Sequence, residues 1–143
     1  MKIRFTVPGE PVGKGRPRVV RRGGFTQTYT PEKTASYENL VKLEFQRQGG
    51  RMLKDGPVFL SIQAWYGIPK SASKRKQQAM LGGAIRPTRK PDCSNVLKSI
   101  EDALNGLAYR DDSQIVKVAI QKWYSDEPRV EVTMEEVGAW KGR

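Results

Sequence analysis

Polar and apolar residues alternate over Lys2–Val7, which predicts a strand. A second alternation runs from Pro57 to Tyr66, with Val58, Leu60, Ile62 and Ala64 on one face and Phe59 and Trp65 on the other. Apolar residues on both faces predict a central strand, or one face kept for a partner. Two further strands are predicted near Gln114–Tyr124 and Arg129–Val137, joined by a turn around Ser125–Pro128. Helical spacing marks three other stretches. Thr30-Pro31-Glu32 supplies a cap, a first-turn proline and an acid at the positive end of the dipole; Tyr37, Leu40, Val41 and Phe45 follow, and Gly49-Gly50 ends the helix. Ser71 to Leu81 reads as a short basic helix with a serine cap. Lys90–Ser94 reads as extended, leading into a helix from Asn95 to Asn105 that stops at Gly106 and carries the stripe Val96, Leu97, Ile100 and Leu104.

The segments between are loops by composition. Pro8–Gly24 is rich in Gly, Pro and basic residues and is expected to order on phosphate; Gly82–Arg89 is a second loop. The tail AWKGR is expected to fray. With no repeat and no long linker, the 143 residues are expected to form one small domain, 1–143.

Charge narrows the partners. There are 26 Lys+Arg against 15 Asp+Glu, a formal net charge of +11, and the cations are clustered. That balance favours a nucleic acid over an anionic membrane surface or a merely solvated basic face. Histidine is absent, which removes His general bases and most zinc sites; the lone Cys93 removes internal disulfides and fits a reducing cytosol. No apolar run approaches the ~18–20 residues of a membrane helix. The start MKIRFTVPGE has no signal-type apolar region, so a soluble, cytoplasmic protein is expected.

Within this basic chain the acids gather in KPDCSNVLKSIEDALNGLAYRDDSQI, Lys90 to Ile115. Asp92 stands just before the helix, Lys98 one turn inside it, and Asp111–Asp112 just after it. Residues two apart in an extended stretch project together, so Asp92 and Ser94 share a side. Asn95, Lys98 and Asp102 fall on the polar side of the helix. If the chain doubles back after Gly106, Asp92, Lys98 and Asp111–Asp112 converge on one mouth. Two readings stay open from spacing alone. One is a carboxylate site holding Mg²⁺ beside phosphate. The other is ordinary structure: an Asp102–Lys98 helix pair, a Ser94 cap and an Asp111-Asp112-Ser113 turn.

The segment closely resembles the RusA family of Holliday junction resolvases, small phage- and prophage-type endonucleases. The shared residues are Lys90, Pro91, Asp92, Asn95, Lys98, Asp102 to Gly106, Asp111, Asp112 and Gln114. The resemblance extends through FTVPGEPVGKGRPR, Tyr29-Thr30-Pro31 and Pro69-Lys70-Ser71, hence over nearly the whole chain. It implies an α/β (α+β) fold, a small mixed β-sheet with helices packed against it, and a homodimer. It also implies an active site in each subunit dependent on Mg²⁺, which Mn²⁺ replaces. By position, Asp92 and Asp112 are implied as metal ligands, Lys98 as the catalytic lysine and Asp111 as an auxiliary acid. Ser94 occupies the place of a further metal-binding Asp.

The implied activity is resolution of four-way junctions, or other branched DNA, by paired symmetric nicks in recombination and repair, in the host cytoplasm at the nucleoid. Lys14, Arg16, Arg18, Arg21 and Arg22 are expected to grip backbone phosphates, as are Lys74, Arg75 and Lys76; Arg86, Arg89 and Lys90 add to the set. Phe25 stands ready to stack on a base or pack in the core. Ser94 favours an alternative, a branched-DNA-binding protein of the same fold that does not cut. A basic RNA-binding protein is a third reading, opposed by the ordered acid cluster.

Overall fold

The computed structural model of the chain describes residues 1–15, 18–29, 32–138 and 142, and of 18–22 and 25–29 the backbone alone. In order come β1 (Lys2–Pro8), β2 (Arg18–Arg22), β3 (Phe25–Tyr29), α1 (Glu32–Arg47), β4 (Val58–Gly67), α2 (Lys74–Leu81), α3 (Cys93–Leu104), a 3-10 turn (Asp112–Gln114), β5 (Ile115–Ser125) and β6 (Arg129–Glu136). Four strands form a mixed sheet in the order β1-β6-β4-β5; β2 and β3 form a separate hairpin. The β4–β5 pair is parallel, and the other two pairings are antiparallel. A parallel pair needs a long crossover. Here it carries α2 and α3.

Burial follows the pleat. Along β4 every second residue, Val58, Leu60, Ile62, Ala64 and Tyr66, is fully buried. Phe5 and Val7 of β1 and Val130, Val132 and Met134 of β6 join them beneath Tyr37, Val41 and Phe45 of α1 and Val96, Ile100, Ala103 and Leu104 of α3. Each large side chain so buried contributes roughly 1.5–3 kcal/mol by leaving water. β4 is central, as its two apolar faces predict, and cations cover its outer aromatics. Lys117 lies 4.5 Å over Phe59 and Arg129 lies 4.1 Å over Trp65.

Several boundaries differ from the sequence pattern. The Pro8–Gly24 loop contains β2 and turns at Gly23-Gly24, both at positive φ, into β3. Two such residues suit the tight turn that matches strand twist. The basic helix begins at Lys74 with Ser73 as its cap, not at Ser71. α3 begins at Cys93, so Ser94 is helical and Asp92 is the cap. The turn after β5 carries the chain past the end of β4, because β5 and β6 are not neighbours. Arg16, Thr30, Pro31 and most of the AWKGR tail lie outside the described residues.

One buried acid ties α1 to the sheet. Glu44 accepts from Arg47 Nη2 at 2.6 Å and Gln48 Nε2 at 2.9 Å. The Gln48 amide also pairs with the backbone of Thr6, accepting from its N–H at 2.9 Å and donating to its carbonyl at 2.8 Å. The bonds from Arg47 and Gln48 hold the Glu44 carboxyl below its ordinary range. A depressed acid contributes stability above the unfolded pKa of about 4.3, and that stability is lost as pH falls through the folded value. Glu44→Gln is therefore expected to melt earlier than the parent at neutral pH. The gap should close below about pH 4; a gap constant with pH in thermal melts would contradict this.

Candidate active site

The site is built along the exposed side of α3. At its N-terminus Asp92 Oδ1 accepts the Asn95 N–H at 2.9 Å and the Ser94 hydroxyl at 3.2 Å. An aspartate cap satisfies one of the free N–H groups of the first turn. Tyr66, near the carboxyl end of β4, donates its hydroxyl to the Pro91 carbonyl at 2.5 Å and so fixes the residue before Asp92. Asp92 itself is exposed, and its Oδ2 takes no bond among the described residues.

Further along the helix, Lys98 Nζ lies 3.1 Å from Asp102 Oδ1. Its pKa is raised, first by the bond to Asp102 and then by the charges of Asp102, Glu101 and Asp112. Lys98 is thus a firm ammonium, half exposed. Glu101, outside the sequence-predicted set, joins the site in the structure. Burial raises its pKa, and Asp112 and Asp102 raise it further against the pull of Lys98. The signal lay in the spacing: positions 94, 98 and 101 share one helical face.

The two acids after the helix have different roles. Asp111, expected as an auxiliary acid, caps the 3-10 turn. Its Oδ2 accepts the Ser113 N–H at 3.1 Å and the Ser113 hydroxyl, while Gln114 Oε1 accepts the Asp111 N–H at 3.2 Å. Asp112 is half-buried; its carbonyl accepts the Ile115 N–H, while its carboxylate makes no hydrogen bond or ion pair among the described residues.

Among the described residues no hydrogen bond or ion pair joins Asp92, Asp111 or Asp112 to Lys98, the residues expected to converge. The charge of Asp112 raises the pKa of both Lys98 and Glu101, with no hydrogen bond or ion pair from its carboxylate to either among the described residues. Asp92 sits instead by Tyr66 at one end of β4, while Asp112 precedes Ile115, which pairs with Val58 at the other end. The helical rise puts Lys98 about 9 Å beyond Asp92 along the axis. Among the described residues no group of three or more His, Cys, Asp or Glu side chains gathers into a cage. The donors are oxygens only; Asp92 offers Oδ2, its Oδ1 being taken by the cap, and Asp112 offers its carboxylate. Oxygen donors suit a hard cation such as Mg²⁺, which keeps several waters and takes one or two carboxylates plus substrate phosphate, but these two carboxylates are too far apart along β4 to share one ion.

The basic residues divide as well. Lys74, Arg75, Lys76 and Lys90 are exposed and make no ion pair among the described residues. Arg86 stacks 3.5 Å over Trp123 and donates to the Lys122 carbonyl at 2.6 Å. Arg89 bridges Glu10 at 3.4 Å and the Gly67 carbonyl at 3.3 Å. Lys14, expected to grip phosphate, has its ammonium held by Glu38 and Asp102 at 2.6 and 3.1 Å. Arg18, Arg21, Arg22 and Phe25 lie on the hairpin, of which only the backbone is described. No helix among the described residues is long and apolar enough to cross a membrane.

Comparison with known proteins adds three findings. The family model described as Endodeoxyribonuclease RusA matches residues 8–135. The chain is 42% identical over 139 residues to Uncharacterized protein YqaN of Bacillus subtilis (strain 168), covering 96% of this chain and 98% of that one. It is 26% identical over 137 residues to Crossover junction endodeoxyribonuclease rusA of Lactococcus phage r1t, covering 95% and 98%.

Proposed function

The chain belongs to the RusA endodeoxyribonuclease family, and from that premise we propose that it is a divalent-metal-dependent endonuclease that resolves four-way DNA junctions by paired nicks. The observation that carries this reading is Lys98, a firm ammonium held by Asp102 on the open side of a helix that Asp92 caps, with the charge of Asp112 acting on the same lysine.

In this reading Asp92 and Asp112, at opposite ends of β4, would each offer a carboxylate to Mg²⁺ or Mn²⁺ rather than share one ion, and the ion would supply Lewis-acid neutralisation of the phosphate and acidify the attacking water. Lys98 neutralises charge that develops on the phosphate as the bond breaks. Asp102 keeps the Lys98 ammonium from wandering between turnovers. Two matched nicks need two sites, which a two-fold homodimer supplies.

The helix α2 carries the substrate argument. Lys74, Arg75 and Lys76 occupy its first turn with no acid among them. Cations there face the positive end of the dipole, an arrangement that an incoming phosphate relieves. Lys90 extends the same grip, and Arg18, Arg21 and Arg22 are assigned to it by sequence. Replacing Lys74, Arg75 and Lys76 together with Ala is expected to weaken junction binding and to flatten its salt dependence by about two to three units of log K per log salt. An unchanged slope would remove α2 from the interface. A stronger preference for structured RNA than for a four-way junction would sink the DNA reading itself.

Ser94 favours a second reading. Its hydroxyl donates to Asp92 and adds no charge. A protein of this fold that binds junctions without cutting them would bind with the same salt dependence and leave every strand intact.

A further inference from the structure

We propose that Lys14 is a positioning residue for Lys98, acting through Asp102, and that it anchors the base of the basic hairpin to the active helix. The proposal rests on the nuclease reading for its consequence in catalysis, but the geometry is independent of it.

Residues 12–15 lie in the cleft between α1 and α3 with their polar groups engaged. Ser99 Oγ donates to the Val12 carbonyl at 2.9 Å. The Lys14 N–H donates to the Asn95 carbonyl at 3.1 Å, and the Gly15 N–H donates to Thr34 Oγ1 at 2.9 Å. Gly13 passes so close to α3 that a Cβ there would stand 2.8 Å from Pro91 Cβ and 3.1 Å from Asn95 Cβ. The strand β2 begins four residues after Lys14. Residues 12–15 are therefore tied to α1 and α3 shortly before the hairpin begins.

The side chain of Lys14 completes a row of alternating charge: Glu38, Lys14, Asp102, Lys98. Glu38 Oε1 is 2.6 Å from Lys14 Nζ, Asp102 Oδ2 is 3.1 Å from it, and Asp102 Oδ1 is 3.1 Å from Lys98 Nζ. The first three side chains are only 16 to 23% exposed, while Lys98 is 54% exposed. Asp102 thus divides itself between an inner and an outer lysine. Removing the inner one leaves Glu38 and Asp102 facing each other, and both oxygens of Asp102 then turn on Lys98. Removing the charge of Glu38 does the reverse: Lys14 leans wholly on Asp102, and Lys98 is loosened.

The test is the acylation rate of the Lys98 amine, read by mass spectrometry against exposed Lys74 in the same sample. It needs neither DNA nor metal. Lys14→Met is expected to slow Lys98 labelling about threefold and Glu38→Gln to speed it about threefold, the scale of a solvent-screened ion pair. The double variant removes the mismatched inner charges, so it guards against loss of the fold, and it should label slowly. Equal labelling in all variants, or the same direction in Lys14→Met and Glu38→Gln, would overturn the proposal. Where the protein cuts junctions, Lys14→Met should lower kcat and leave KM within about twofold. A raised KM with unchanged kcat would return Lys14 to the phosphate grip. A chain that cuts nothing still decides the proposal by labelling.

Discussion

Asp92→Asn is expected to reduce junction cleavage by about 10²–10³-fold, the scale of losing one group that stabilises transition-state charge. Junction binding should be equal or tighter, because one negative charge leaves the path of the phosphates. The fold should be preserved, and the reason is local. Asp92 caps α3 through Oδ1, which accepts from Asn95 N–H and Ser94 Oγ. Asparagine caps as well as aspartate and keeps an acceptor in the same place. The substitution therefore separates charge from capping. Asp112→Asn should behave alike with no structural cost, since the Asp112 carboxylate makes no bond among the described residues. Asp111→Asn is the internal control: an Asn still caps the 3-10 turn, so cleavage should change little. Single-turnover cleavage, gel-shift affinity and melting temperature on the three variants check this. Loss of binding or of folding in Asp92→Asn and Asp112→Asn would make them structural residues.

Ser94→Asp is expected to raise metal-dependent cleavage by about 10–100-fold, the range that metal-supporting groups command. Position 94 lies in the first turn of α3, where the dipole favours an acid. The present hydroxyl donates to Asp92 Oδ1 at 3.2 Å, so a carboxylate there would stand against that of Asp92. Two adjacent acids repel without a cation and bind one more tightly. The gain has a second signature that needs no substrate: Mg²⁺ should raise the melting temperature of Ser94→Asp more than that of the parent. No gain in cleavage and no added Mg²⁺-dependent shift would mean that position 94 does not face the metal.

Much of this architecture is legible in local pattern. The period-two run of β4 and the helical run from Tyr37 to Phe45 identify their own buried faces, because packing on a sheet or along a helix imposes those periods. The hairpin of β2 and β3 escapes notice because its cations and glycines read as loop, although Gly23-Gly24 between two short runs marks a turn. The start of α3 is ambiguous by nature. Asp92 and Ser94 are both capping residues, and the Tyr66–Pro91 bond that fixes the chain before Asp92 spans 25 positions. Long range also hides the role of Lys14. Nothing near it in sequence announces that Glu38 and Asp102 will meet its ammonium, so charge alone assigns it to DNA. The division of labour between Asp111 and Asp112 is likewise invisible in a bare Asp-Asp pair; only Ser113 and Gln114, turned back on Asp111, decide it.

The most direct test is to map the cuts this chain makes in a labelled four-way junction and in a linear duplex of the same sequence, with and without Mg²⁺ or Mn²⁺. The account predicts metal-dependent nicks placed symmetrically in two opposing junction strands and none in the duplex. A junction left intact by both this chain and Ser94→Asp, or cutting of duplex and junction alike, would contradict it.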